Sequence, residues 1–239
     1  MKPTVILVHG AYAESSSWTA VVKLLLAEGY RVVAWATPLR SVSTDSLALT
    51  DLLRGVAGPV VLVGHSYGGA VISNVPAESA DIVGLVYVAG FALGPGESCG
   101  DASSLVPGST LAETLERVPL IDGSVDTYII QDRYHHQFSA DLTEQEAAVM
   151  AVTQRPVTEG ALFEPSGDSP LWRAVPSWFI FGELDHNIPA GAHQQLARRA
   201  GAKHTIESPG ASHVVGLSHP AETAQTILAA SRATQPPNA

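Results

Sequence analysis

The chain has 239 residues, 46% hydrophobic and 15% charged, so it can bury a large core and is not a disordered segment. Its formal net charge of −10, with no basic run, argues against a nucleic-acid partner and against an anionic membrane surface. The length fits one α/β domain with an insertion better than two domains.

Thr4–Val8 predicts a short buried strand, which Met1-Lys2-Pro3 enters at once. This run is too short for the apolar region of a signal peptide and has no small-residue cleavage site, so the cytoplasm is the expected compartment. His9-Gly10-Ala11-Tyr12 and a serine-rich loop follow. Trp18–Glu28 carries Trp18, Val21, Val22, Leu25 and Leu26 at helical spacing, and Gly29 stops it. Arg31–Ala36 predicts the next strand. Ser43-Thr44-Asp45 is suited to cap a helix running through Gly55, and Gly58-Pro59 breaks it. Val60–Val63 is a strand that leads into Gly64-His65-Ser66-Tyr67-Gly68, and Ile82–Val88 is another.

The rhythm changes after Phe91. From Ala92 to Arg173 there are Gly/Pro/Ser-rich pieces and short helical patterns, among them Leu111–Val118 and Thr143–Thr153, without a sheet period. Residues 92–173 therefore read as a cap, and 1–91 with 174–239 as the core. Strands resume at Ser177–Phe181, followed by a helix at Gly191–Ala200, a strand at Lys203–Glu207 and a last helix from Pro220 to about Ala230. The tail Thr234–Ala239 reads as disordered. Alternating strands and helices indicate βαβ units and a mainly parallel sheet. No window reaches the length of a membrane span.

Gly-His-Ser-Tyr-Gly between a strand and a helix is a G-x-S-x-G nucleophile elbow. The tight turn holds Ser66 in strained backbone geometry, and its neighbours two positions away nearly touch, so Gly64 and Gly68 are needed because they lack a Cβ. An ordinary glycine turn with an incidental serine is the alternative. A serine hydroxyl needs a base, and the base needs an acid to hold its tautomer. Asp185, in the loop after the strand ending at Phe181, is the candidate acid, with Glu183 second; simple capping of the next helix would also explain Asp185. His213, beyond the last strand, is the candidate base, whereas His219 before Pro220 suits packing or capping. The oxyanion donors are expected to be the N–H groups of Tyr67 and Ala11, with Tyr12 next after Ala11. His9 suits pinning that loop, and His65 packing beneath the elbow. His135 and His136, with Tyr134 and Phe138, suit either a cap pocket or a solvated patch. Cys99 is the one cysteine, so no intrachain disulfide forms, and it reads as a structural thiol. No metal-ligand spacing or nucleotide-binding glycine pattern is present, so no metal and no cofactor is expected.

These pieces, with Val8-His9-Gly10-Ala11, Asp185-His186-Asn187-Ile188-Pro189 and Ser212-His213-Val214-Val215, resemble the α/β-hydrolase superfamily over nearly the whole chain. The similarity is greatest to the small, cofactor-free branch of bacterial esterases, plant methylesterases and hydroxynitrile lyases, and Ala151–Pro156 resembles the bacterial esterase-like members. The resemblance implies an α/β-hydrolase fold: a mainly parallel central sheet flanked by helices, with a mainly helical cap. It also implies a Ser66–His213–Asp185 triad. Hydroxynitrile lyases of the branch have a lysine where Val214 stands, and Ala11 has no side-chain hydroxyl; both count against a lyase. Ser66 excludes the aspartate nucleophile of haloalkane dehalogenases. The expected activity is hydrolysis of small to medium apolar carboxylic esters, with Tyr12, Phe91, Tyr134, Phe163 and Trp172 lining the substrate site. A lyase or C–C bond hydrolase of the same fold, or a non-catalytic ligand receptor, are the rivals. The expected partner is a small-molecule ester, with a homodimer left open.

Overall fold

A computed structural model describes residues 1–233. Runs rich in Val, Ile and Leu form the strands β1 (Thr4–Val8), β2 (Val32–Trp35), β3 (Pro59–His65) and β4 (Asp81–Val88). The next strands are β5 (Leu115–Pro119), β6 (Val125–Ile129) and β7 (Val157–Thr158), followed by β8 (Ser177–Gly182) and β9 (His204–Ser208). Six of them pair in the order β2-β1-β3-β4-β8-β9, every pair parallel. Val8 is level with Gly64, and His65 with Val88, so the carboxyl ends of the central strands share one edge.

The helices are α1 (Thr19–Ala27), α2 (Val42–Leu53), α3 (Tyr67–Ser73), α4 (Cys99–Ser103), α5 (Gln131–Phe138), α6 (Glu144–Thr153), α7 (Glu159–Phe163), α8 (Ala190–Arg199), α9 (Val215–Ser218) and α10 (Pro220–Ala233), of which α2, α3 and α8 cover one face of the six-stranded sheet and α1 and α10 the other. Side chains alternate across a strand, so each central strand feeds two cores. Ile6, Leu62, Leu85 and Phe179 pack with Leu49, Val71 and Leu196 of α2, α3 and α8. Leu7, Val63, Val86 and Ile180 pack with Val21, Leu25, Ile227 and Leu228 of α1 and α10. Each such side chain contributes about 1.5–3 kcal/mol by leaving water.

Two local expectations are corrected. Helix α2 is capped by Ser41, whose Oγ accepts from Thr44 N–H at 3.0 Å, not by Ser43-Thr44-Asp45. Asp45 is instead fully buried. Leu111–Val118 is not helical throughout: Leu111–Thr114 is one 3-10 turn, and the chain then enters β5. The stretch from 92 to 173 thus holds an antiparallel sheet, β5-β6-β7, beside its helices. Strand β5 is mostly exposed, so it carries no apolar alternation by which to recognise it. The helical pattern expected over Thr143–Thr153 is α6, which begins on a capping box between Thr143 and Glu146.

The 92–173 stretch is tied to the loop before α2 by Arg40, which pairs with Asp126 at 2.7 Å, and by Thr158 N–H, which donates to Leu39 O at 3.1 Å. Among the described residues no helix is long and apolar enough to cross a membrane. The expected disorder of Thr234–Ala239 concerns residues outside those described.

Candidate active site

The turn between β3 and α3 places Ser66 at φ 52°, ψ −123°. A non-glycine residue there costs about 1–3 kcal/mol and persists only when neighbours fix it. They do: Ser66 N–H donates to Val88 O at 3.3 Å, and its carbonyl accepts from Gly69 N–H at 2.9 Å and Phe91 N–H at 3.1 Å. A Cβ on Gly64 would sit 2.6 Å from Gly68 O, as the tight turn requires. Gly68 is needed for a different reason from the one expected, because its Cβ would meet Val8 O of β1 at 2.3 Å.

Asp185 follows β8. Its Oδ1 accepts from the N–H groups of Asn187 at 2.8 Å and Ile188 at 2.9 Å, so it does order the turn before α8. Its Oδ2 lies 2.7 Å from His213 Nδ1. Burial alone would raise this carboxyl, but the charge of His213 and hydrogen bonds from His193 and His213 outweigh it and hold the group well below the usual range. Glu183 is exposed and accepts from Gly210 N–H at 2.9 Å, which leaves it outside the pair.

His213 lies in the loop after β9. Its ring packs against Phe138 and His65, with centroids 5.0 and 4.9 Å away. Its Nε2 has no hydrogen-bond partner among the described residues. His65 supports it from below: the Nε2–H of His65 donates to His213 O at 3.1 Å. Burial pushes the His65 imidazole down to about 3, so it stays neutral.

The two expected oxyanion donors lie on either side of this turn. Tyr67 is the first residue of α3, where a backbone N–H has no intrahelical carbonyl to meet. Its phenol donates to Asp45 Oδ2 at 2.9 Å, which anchors the side chain. Tyr12 N–H is used by Arg155 O at 3.1 Å, whereas Ala11 N–H has no partner among the described residues. His9 explains how that N–H is aimed. Its Nε2 accepts from Thr37 N–H at 3.0 Å, so Nδ1 carries the proton and donates to Gly10 O at 2.9 Å. Gly10 O and Ala11 N–H belong to one planar trans peptide and point in opposite directions. Holding the oxygen therefore aims the N–H the other way.

Ser66 and His213 line a cavity of about 450 Å³, together with Ala11, Tyr12, Phe91 and Phe138. Leu111, Leu115, Leu162 and Phe163, from the stretch between β4 and β8, also line it. It is not wholly apolar: Ser103, Ser109, Thr127, Asn187 and the ion pair Arg117–Glu159, at 2.5 Å, also line it.

The model of the alpha/beta hydrolase family matches residues 5–226. The chain belongs to that family. A pyrethroid hydrolase of Sphingobium wenxiniae is 28% identical to this hydrolase over 244 residues, covering 93% of this chain and 85% of that protein. A crystal structure of polyneuridine aldehyde esterase shares its fold, with a TM-score of 0.81, 17% identity and coverage of 97% of this chain and 100% of the other. A methylesterase from Arabidopsis has the same fold at a TM-score of 0.76 and 16% identity, over 96% and 99% of the two chains.

Of the candidate substrate-site residues, the hydrolase brings Tyr12, Phe91 and Phe163 to the cavity but not Tyr134 or Trp172. Tyr134 donates its O–H to Tyr12 O at 2.7 Å and lines a separate cavity of about 390 Å³. Trp172 donates its Nε1–H to Leu93 O at 2.8 Å. Both rings hold loops through their polar atoms. His135 meets Leu142 O at 2.9 Å and His136 is exposed, so neither lines the cavity with Ser66. Sequence reasoning missed Asn187, which stands inside the Asp185–Pro189 stretch it had singled out. It also missed His193, which reads there as one polar position of an amphipathic helix.

Proposed function

We propose that this hydrolase cleaves carboxylic esters through a Ser66–His213–Asp185 triad and an acyl-enzyme. His213 Nε2 takes the proton of Ser66 Oγ–H as Oγ attacks the ester carbonyl carbon. The N–H groups of Tyr67 and Ala11 receive the oxyanion, and ionised Asp185 stabilises the imidazolium. His213 then protonates the departing alkoxide, and the alcohol leaves. It next takes a proton from water, which attacks the acyl carbon, and returns that proton to Ser66. The observation that carries this reading is a strained Ser66 and an Asp185-held His213, with its Nε2 unpaired, in the wall of one cavity. Relatives named as a pyrethroid hydrolase, an esterase and a methylesterase support the ester as the bond broken. A cavity of about 450 Å³ with a partly polar wall suits small to medium acyl and alcohol groups.

The test is a panel of chromogenic short- and medium-chain esters. The wild type is expected to turn over several, and Ser66→Ala to lower kcat by about 10⁴-fold or more. No turnover by the wild type on any ester sinks the reading. Turnover that survives Ser66→Ala removes the assigned nucleophile.

A further inference from the structure

Asn187 carries a polar atom that the triad chemistry does not use. The residue is 3% exposed and lines the cavity with Ser66 and His213. Its amide orientation is fixed by a chain of hydrogen bonds. Thr110 Oγ1–H donates to Gln137 Oε1 at 2.9 Å, so Gln137 Nε2 is the donor end of that amide. It donates to Asn187 Oδ1 at 2.7 Å and to His186 O at 3.0 Å. The backbone of Asn187 is held as well, its N–H by Asp185 Oδ1 and its carbonyl by Ser109 Oγ–H at 2.8 Å. The oxygen of the Asn187 side chain is therefore turned to Gln137, which does not line the cavity. The Nδ2 donor is the half left over, and it has no partner among the described residues. It shares that condition with His213 Nε2, the proposed base in the same wall. A buried donor without a partner is costly, and such groups call for a functional explanation.

We propose that Asn187 Nδ2 is a specificity donor that recognises a neutral oxygen acceptor, an ether, keto or second ester oxygen, on the substrate beside the ester that is cleaved. This rests on the ester-hydrolase reading and adds a substrate class to it. An anionic group is the poorer fit. The donor carries no charge, the residue's own N–H is bonded to ionised Asp185, and the chain has a net charge of −10.

The experiment compares four p-nitrophenyl esters of equal chain length: hexanoate and the 3-oxa, 4-oxa and 5-oxa analogues. Each is assayed with wild type and Asn187→Leu. The wild-type-to-variant ratio of kcat/KM cancels the intrinsic reactivity of each ester. The ratio for at least one oxa ester is expected to exceed that for hexanoate by about fivefold or more, the effect of one hydrogen bond. Equal ratios across all four overturn the proposal. If the wild type cleaves none of these four or of the wider ester panel, the ester-hydrolase reading fails, and the donor is tested by binding alone. The side-chain amide resonance of Asn187 in the wild type, assigned by its loss in the variant, is followed with the four matching methyl ketones. A shift with an oxa ketone beyond that with heptan-2-one supports the proposal, and its lack overturns it. Asn187→Asp serves for the assignment if Asn187→Leu does not fold.

Discussion

His193 Nε2 lies 3.1 Å from Asp185 Oδ2, the same oxygen that meets His213 Nδ1 at 2.7 Å. His193 is fully buried on α8 and stacked on Phe181 at 4.8 Å. Burial lowers its imidazole, so it is a neutral donor. Its proton draws electron density from the carboxylate that holds His213. In His193→Phe the carboxylate loses that donor and grips a protonated His213 more strongly. The acid limb of kcat/KM against pH is expected to move up by about half a unit, the equivalent of one modest hydrogen bond. His193→Gln keeps a donor and should keep the limb in place. Identical pH profiles for all three proteins would remove this positioning role.

Three buried histidines make stability fall on acidification. Burial lowers His9 to about 4 and His65 to about 3, and lowers His193 as well. Between these values and the ordinary 6.5 the unfolded chain binds the extra protons, so stability rises with pH across that window. Each histidine supplies a slope of about 1.4 kcal/mol per pH unit at most. Asp45, raised by burial, acts in the opposite sense just above 3.8. Tm measured from pH 7 to pH 4.5 should therefore drop steadily, and a flat profile contradicts the assignment.

Replacing His9 should disarm the proposed oxyanion site without emptying the cavity. His9→Leu frees Gly10 O and, with it, the direction of Ala11 N–H. We expect kcat to fall by about 10²-fold, the cost of one oxyanion donor, with KM little changed. A variant that folds, as judged by circular dichroism, yet retains wild-type kcat would assign the donor elsewhere.

Asp45 is a structural anchor beneath the elbow. Its carboxylate accepts from Tyr67 O–H at 2.9 Å and from Arg40 N–H at 3.2 Å. Asp45→Ala leaves both donors unpaired and is expected to cost about 2–4 kcal/mol in urea denaturation. Asp45→Asn keeps one acceptor oxygen and should cost less than half of that. Equal losses for the two would show that the negative charge, rather than the acceptor, is what matters.

Strands buried on both faces were the most legible part of the chain. β1, β3, β4 and β8 are continuous apolar runs because helices cover both sides of the sheet. β5 was not legible, since a mostly exposed strand has no apolar pattern to show. The cap of α2 was misplaced because Ser41, Ser43, Thr44 and Asp45 all have capping side chains.

The sequence by itself determined the α/β architecture, the elbow at Ser66 and the chain order in which Asp185 and His213 follow it. Each of these is written in local patterns, namely apolar period, glycine spacing and position after a strand. Only the tertiary structure decided which side chains face the cavity. Tyr134 and Trp172 turn away to bond carbonyls, His193 joins Asp185 from a helix, and Gln137 orients Asn187 from fifty residues away in sequence. Those facings depend on which buried polar atoms find partners, and partners distant in sequence leave no period to read.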